Sequence, residues 1–275
     1  MSGTIDHVPT AIVSDTQVNY DVYGSGEPVL FIPPAGTRSA VWLNHQVPAF
    51  VAAGYRAVIF DSRGTPPSAV PPGPYRIGDL VADAVDLITG LDLGRCRIVG
   101  ASLGAMVAQE LALARPDLVA AAVMLGTRCR TDFFRGASAR AYAARVRDAN
   151  GDHADYDAVG AMLQLFSRRT LSDDRSAADW FAVFRNFPVR GIGPAAQYEA
   201  TVVDDRRAAL GKVRRPCLVV SFAEDVLTPP ALCHEVADAI PDCRYVELDG
   251  CGHFGFLEKP DEVNALLLDF FAQNR

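Results

Sequence analysis

The sequence predicts an α/β fold: a mostly parallel twisted sheet covered by helices on both faces, with an inserted helical segment. Three observations carry this expectation. Short apolar runs recur at residues 29–32 (VLFI), 57–60 (AVIF), 96–99 (CRIV), 121–125 (AAVML) and 217–222 (CLVVSF), most of them closed by Gly, Pro or Asp. Runs of this kind are strands buried on both faces, as in parallel sheets. Between them lie segments of helical period, such as residues 77–91, where Leu80, Val81, Ala84, Leu87 and Ile88 share one face. Strand-helix alternation argues for βαβ units and an open sheet. Finally, the alternation stops between about residues 130 and 209, where no buried strand run occurs and aromatic residues gather in helical segments.

The elements follow in chain order. The start, MSGTIDHVPT, has an acidic residue and neither a basic nor an apolar leader pattern, and no apolar run approaches the ~20 residues that span a bilayer, so a cytoplasmic protein with no membrane partner is expected. Residues 17–24 (QVNYDVYG) alternate as a half-exposed strand does, and Gly-Ser-Gly then marks a turn. Residues 65–74 (TPPSAVPPGP) read as an ordered surface loop. The insert carries Phe133, Phe134, Phe166, Trp180, Phe181, Phe184 and Phe187, expected to form mostly its own core, with one or two lining a substrate pocket. The expected division is a core of residues 1–129 and 210–275 with a helical cap at 130–209.

Charge divides in the same way. The chain of 275 residues has 26 cations against 33 acids, net −7, which repels phosphate backbones and argues against nucleic acid as a partner. Residues 130–209 hold 12 Arg and 11 acids, net +1, whereas the remainder holds 14 cations and 22 acids, net −8. A nearly neutral, aromatic-rich insert suits a neutral, largely apolar small molecule. The six cysteines include no C-x-x-C pair and no zinc-finger spacing, and His234-Glu235 does not continue into H-E-x-x-H, so no zinc site of these kinds is expected.

The chemistry centres on Gly100-Ala101-Ser102-Leu103-Gly104, which follows a strand run and precedes a helical stretch. A bare G-x-S-x-G arises by chance in about one chain in ten of this length, so its context is what informs. A sharp strand-to-helix turn lifts the serine above the sheet, and small flanking residues let neighbouring backbone approach. The helix start also supplies free N–H groups and the positive end of a dipole. A serine needs a base to take its proton. Of His7, His45, His153, His234 and His253, only His253 lies in a glycine-rich loop, Asp249-Gly-Cys-Gly-His-Phe-Gly, after a strand-like run. A carboxylate must orient the imidazole. Asp225, with Glu224 as the neighbouring alternative, follows the 217–222 run and precedes a turn. The order Ser102, Asp225, His253 is one of three convergent triad orders.

These residues resemble the α/β-hydrolase fold family, and within it the cofactor-free esterase and lactonase branch with a helical cap. The resemblance covers most of the chain. It rests on Phe60-Asp61-Ser-Arg63-Gly64, the elbow GASLGA, the acid loop EDVLTPP and Gly252-His253-Phe-Gly-Phe-Leu-Glu258-Lys-Pro260. It implies Ser102 as nucleophile, His253 as base, Asp225 as the orienting acid, and acyl-enzyme chemistry on a small-molecule acyl substrate with no metal or organic cofactor. Asp at the nucleophile position would instead imply dehalogenase or epoxide-hydrolase chemistry. One departure stands out. Family members usually carry His-Gly after the first core strand, whereas this chain has Pro33-Pro34-Ala35-Gly36, so the His that braces the loop is lost. By alignment of that loop, the N–H groups of Ala35 and Leu103 become the expected oxyanion-hole donors. Asp61 and Arg63 are expected to brace loops, and Cys251 to be a small packing residue near enough to His253 for oxidant sensitivity.

The expected function is hydrolysis of a carboxylic ester or lactone. Acyl transfer to another nucleophile, including thioester release or cyclisation of a natural-product chain, is the second reading, and a non-hydrolytic binding protein or catalyst on the same fold is the third. The sequence does not fix the oligomeric state.

Overall fold

A computed structural model describes residues 10–148 and 153–274. The expectations about the first ten residues, His7 among them, concern positions that lie, save Thr10, outside the described residues. Eight strands form one sheet: β1 (Thr10–Val13), β2 (Thr16–Gly24), β3 (Pro28–Ile32), β4 (Arg56–Phe60), β5 (Cys96–Ala101), β6 (Val119–Leu125), β7 (Cys217–Phe222) and β8 (Cys243–Leu248). Their order is β1-β2-β4-β3-β5-β6-β7-β8. The pairs β1–β2 and β2–β4 are antiparallel, and β4 through β8 run parallel.

The continuous apolar runs are explained by burial on both faces. Leu30, Val58, Ile98, Met124 and Val219 point to one side, where α2 (Ile77–Gly90), α3 (Leu103–Ala114) and α10 (Pro230–Ala239) cover them. Phe31, Ile59, Val99, Val123 and Val220 point to the other, against α1 (Gln46–Ala52) and α12 (Pro260–Gln273). Each such side chain, fully buried, contributes roughly 1.5–3 kcal/mol. The edge strand β1 gave no such signal. It has only four residues, and Ile12 is 85% exposed.

Between β6 and β7 the chain forms α4 (Phe133–Arg147), α5 (Ala154–Leu165), α6 (Arg168–Ser172), α7 (Asp174–Asn186), α8 (Ile192–Ala200) and the short α9 (Arg207–Leu210). Part of the aromatic core expected here exists: Phe166 is buried and packs on Trp180 and Phe184. Phe133, Phe134 and Phe187, in contrast, are largely exposed, which corrects the expectation for those three. Phe133 and Phe134 open α4, and the Arg135 guanidinium sits 5.2 Å from the Phe134 ring centroid, covering one face of it from outside the core. The last element before α12 is α11 (Gly255–Glu258).

Candidate active site

The carboxyl ends of β3, β5, β7 and β8 lead into the loops that carry the candidate residues, as expected of an open parallel sheet. At the turn from β5 into α3, Ser102 takes φ 54° and ψ −116°, a left-handed conformation unfavourable for any residue with a Cβ. Neighbouring glycines make the turn possible. A Cβ on Gly100 would lie 2.1 Å from the Gly104 carbonyl oxygen. The Ser102 N–H donates to Leu125 O at 2.9 Å, and its carbonyl accepts from the N–H groups of Ala105 and Met106. The side chain is half-buried at the first turn of α3.

Asp225 and His253 are brought together. His253 Nδ1 lies 2.7 Å from Asp225 Oδ2, and both residues are buried. The second carboxylate oxygen, Oδ1, accepts from the N–H groups of Leu227 and Thr228, each at 2.8 Å. The Thr228 hydroxyl donates to Oδ2 at 2.7 Å and lies 3.2 Å from His253 Nδ1. Burial alone would raise the Asp225 carboxyl. The charge of His253 and the hydrogen bonds from His253 and Thr228 outweigh it and hold the carboxyl below the ordinary aspartate range. Gly126 adjoins both the pair and the Ser102 turn: a Cβ there would lie 3.2 Å from Asp225 Oδ2 and 3.3 Å from His253 Nδ1, and Gly126 follows the Leu125 carbonyl that holds the Ser102 backbone. No hydrogen bond joins Ser102 to His253 among the described residues.

Ala35 and Leu103 sit on facing elements, the loop after β3 and the first residue of α3. A Cβ on Gly104 would lie 2.1 Å from Ile32 O, so the two elements touch. Neither the Ala35 nor the Leu103 N–H donates to a protein acceptor among the described residues. Both are free for a ligand.

The remaining candidates sort by their partners. Glu224 accepts from the Arg168 N–H and Nε, so it ties α6 to the core and does not reach His253. Asp61, fully buried, accepts from the Ser39 N–H and hydroxyl and from Asn19 Nδ2. Arg63 grips Asp83 through two bonds of 2.6 Å. Both therefore brace loops. The Cys251 thiol is buried and pushed up to about 12 by that burial, which suppresses the thiolate an oxidant attacks and removes the reason to expect oxidant sensitivity there. His45 and His153 directly precede helices, and His234 pairs with Asp238 on the surface of α10.

Sequence reasoning missed Thr228, Glu258 and Gln197 as parts of the site. The Asp-x-x-Thr spacing at 225–228 was a readable turn signal for Thr228. Glu258 accepts from the Gly252 N–H at 2.6 Å through Oε2, and from the Ser167 hydroxyl at 2.6 Å through Oε1, so it fastens the His253 loop to the start of α6. Nothing local marks Gln197, which acts on a loop 161 residues away.

The model of the alpha/beta hydrolase family matches residues 29–266, a span that contains every one of these loops. The chain belongs to the α/β hydrolase family. Among family relatives, it is 42% identical over 258 residues to BpoC of Mycobacterium tuberculosis H37Rv, named as a candidate non-heme bromoperoxidase, covering 92% of this chain and 97% of that protein. The crystal structure of BpoC superposes with a TM-score of 0.90, covering 96% of this α/β hydrolase and 98% of BpoC at 40% identity. RutD of Variovorax paradoxus S110, named as a candidate carbamate hydrolase, is 31% identical across 93% of this chain and 96% of its own. The enol-lactonase of Burkholderia xenovorans LB400 superposes with a TM-score of 0.85 at 26% identity, covering 96% of this chain and 100% of that structure. No helix among the described residues is long and apolar enough to cross a membrane.

Proposed function

We propose that this α/β hydrolase cleaves a carboxylic ester or lactone of a small, largely apolar molecule through an acyl-enzyme on Ser102. The observation that carries the reading is the buried Asp225–His253 pair, 2.7 Å apart, meeting the strained Ser102 turn at Gly126. An imidazole held through Nδ1 by a carboxylate presents Nε2 as a base, and the turn holds the serine at a helix start where developing negative charge is favoured. The helices between β6 and β7 act as a cap over this face.

The reaction runs in two halves. Ser102 Oγ attacks the substrate carbonyl carbon while His253 Nε2 takes its proton, and the carbonyl oxygen becomes an oxyanion held by the N–H groups of Ala35 and Leu103. Collapse breaks the ester bond, and His253 returns the proton to the leaving alcohol. Water then attacks the acyl-enzyme, giving its proton to His253, and the acid leaves as Ser102 is reprotonated. Each oxyanion donor is worth about 2.7–4 kcal/mol of barrier in such sites.

The name of BpoC favours one variation, in which a nucleophile other than water takes the acyl group. Hydrogen peroxide reaching the same acyl-enzyme would release a peracid, and product analysis with and without peroxide separates the two outcomes. The central test is labelling by a fluorophosphonate, mapped by peptide mass spectrometry, alongside an ester panel varying acyl and alcohol size. Labelling of Ser102 with parallel loss of esterase activity is the expected result; an active protein unlabelled at Ser102 overturns the reading.

A further inference from the structure

The loop bearing Ala35 lacks the histidine that the family resemblance leads one to expect, and a buried amide from 161 residues further along the chain holds it instead. Gln197, on α8, is 1% exposed. Its Oε1 accepts from the Gly36 N–H at 2.6 Å, and its Nε2 donates to Arg63 O at 2.6 Å and to Thr65 Oγ1 at 3.0 Å. One side chain of the inserted segment thus ties the loop after β3 to the loop after β4.

We infer that Gln197 is a positioning residue for the oxyanion hole, making the insert part of the machinery that aims the Ala35 N–H; this rests on the serine-hydrolase reading above. The geometry works through two successive peptide planes. Pro34 O accepts from the Thr37 N–H at 3.2 Å. Because N–H and C=O of a trans peptide point in opposite directions, that bond sets the direction of the Ala35 N–H. The next plane is held at both ends, its Ala35 O accepting from the Thr37 hydroxyl at 3.3 Å and its Gly36 N–H donating to Gln197. Gly36 has φ +66°, where the chain turns freely, so the plane has little stiffness of its own. Without Gln197 the Gly36 N–H would be left without its acceptor, and the plane would turn to find another, carrying Ala35 with it.

The seating of α8 is set by a second contact on the same helix. A Cβ on Gly193 would lie 2.1 Å from Gly64 O, so α8 rests directly on the loop that also receives the Gln197 amide. Gly193→Ala therefore lifts α8 while leaving the Gln197 side chain chemically intact.

The test compares wild type, Gln197→Met and Gly193→Ala in the full-length protein. The readouts are kcat and KM on the best panel ester, Ki for a trifluoromethyl ketone matched to its acyl group, Ki for the corresponding methyl ketone, and Tm. The trifluoromethyl ketone forms a tetrahedral oxyanion on the serine, and the methyl ketone reports ground-state binding. Misplacing one oxyanion donor is expected to lower kcat by about 10- to 100-fold with KM within about threefold. Ki for the trifluoromethyl ketone should rise by the same factor as kcat falls, with the methyl ketone unchanged, and Gly193→Ala should move in the same direction. Folded Gln197→Met with wild-type kcat, or with equal weakening of both ketones, overturns the inference and marks Gln197 as a plain tie between insert and core. If Gln197→Met does not fold, Gly193→Ala decides by the same criteria. Should wild type itself be inactive and unlabelled by fluorophosphonate, the serine-hydrolase reading falls and this inference with it; labelled, active wild type beside an unaffected variant removes the role of Gln197 alone.

Discussion

Gly104, in the first turn of α3, lies so close beneath the end of β3 that a Cβ on it would sit 2.1 Å from the Ile32 carbonyl oxygen and 2.9 Å from that of Pro33. The contact fixes the separation between the helix start bearing Leu103 and the loop bearing Ala35. Backbone this close leaves no flexible side chain to yield. Gly104→Ala is expected to destabilise the fold by about 1–3 kcal/mol, the usual cost of overpacking, and to lower kcat by spreading the two N–H groups. Gly78, in α2, has nothing within 4 Å of its would-be Cβ. Gly78→Ala serves as the control and is expected to stabilise by about 0.5–1 kcal/mol. Urea unfolding of both variants checks this, and a Gly104→Ala protein as stable and active as wild type contradicts it.

Ser102 holds a left-handed backbone with φ 54°. Alanine keeps the Cβ and hence the strain, while glycine removes both. With the hydroxyl gone, Ser102→Ala is expected to lose about 10⁴-fold or more in kcat/KM at nearly unchanged Tm. Ser102→Gly should be equally inactive yet more stable than Ser102→Ala by about 1 kcal/mol, seen as a Tm about 2 °C higher. Equal Tm values for the two variants would mean that the turn stores no strain.

The contrast between what the chain reveals locally and what it does not follows from these contacts. The parallel strands were legible because burial on both faces forces uninterrupted apolar runs such as 217–222, and the elbow because two glycines must flank a raised serine. Asp225 and His253 were legible through loop position and chain order. Glu258 stood in the His253 motif without a role and Gln197 carried no signal, because the one fastens Ser167 and the other Gly36, backbone brought near only by the fold. Phe133 and Phe134 misled for the opposite reason: an aromatic pair opening a helix carries no periodicity that tells core from surface.

Asp225 gives a pH dependence of definite sign. Its carboxyl is depressed in the folded protein, burial being outweighed by His253 and the Thr228 hydrogen bonds. A depressed carboxyl contributes stability that is complete above the unfolded aspartate value of about 3.9 and is lost as the pH falls through the lower folded value. The Tm advantage of wild type over Asp225→Asn should therefore shrink as the pH drops below about 4. In activity, Asp225→Asn is expected to cost about 10⁴-fold in kcat, since the amide favours the wrong imidazole tautomer. Thermal unfolding of both proteins across an acid pH series measures the first effect, and a Tm gap that widens on acidification rules it out.

The Arg63–Asp83 pair ties the loop after β4 to α2, and its energetics differ from those of a surface ion pair. Arg63 Nε and Nη2 each meet an Asp83 oxygen at 2.6 Å, with 6% and 1% of the two residues exposed. Among the described residues, only the exposed Asp15 also reaches the guanidinium, at 3.2 Å. Asp83→Ala would leave this buried cation only the exposed Asp15, and breaking a buried pair costs about 3–5 kcal/mol, whereas replacing both partners by apolar residues is often neutral. The combination of Arg63→Met with Asp83→Leu is accordingly expected to be more stable than Asp83→Ala alone. Arg63 O also receives the Gln197 amide, so Asp83→Ala should lower kcat as well, while the double variant, with the backbone packed in place, recovers part of it. Urea unfolding with steady-state kinetics on the three proteins checks both expectations. A double variant no more stable than Asp83→Ala would mean that the cost lies in lost packing rather than in the unpaired charge.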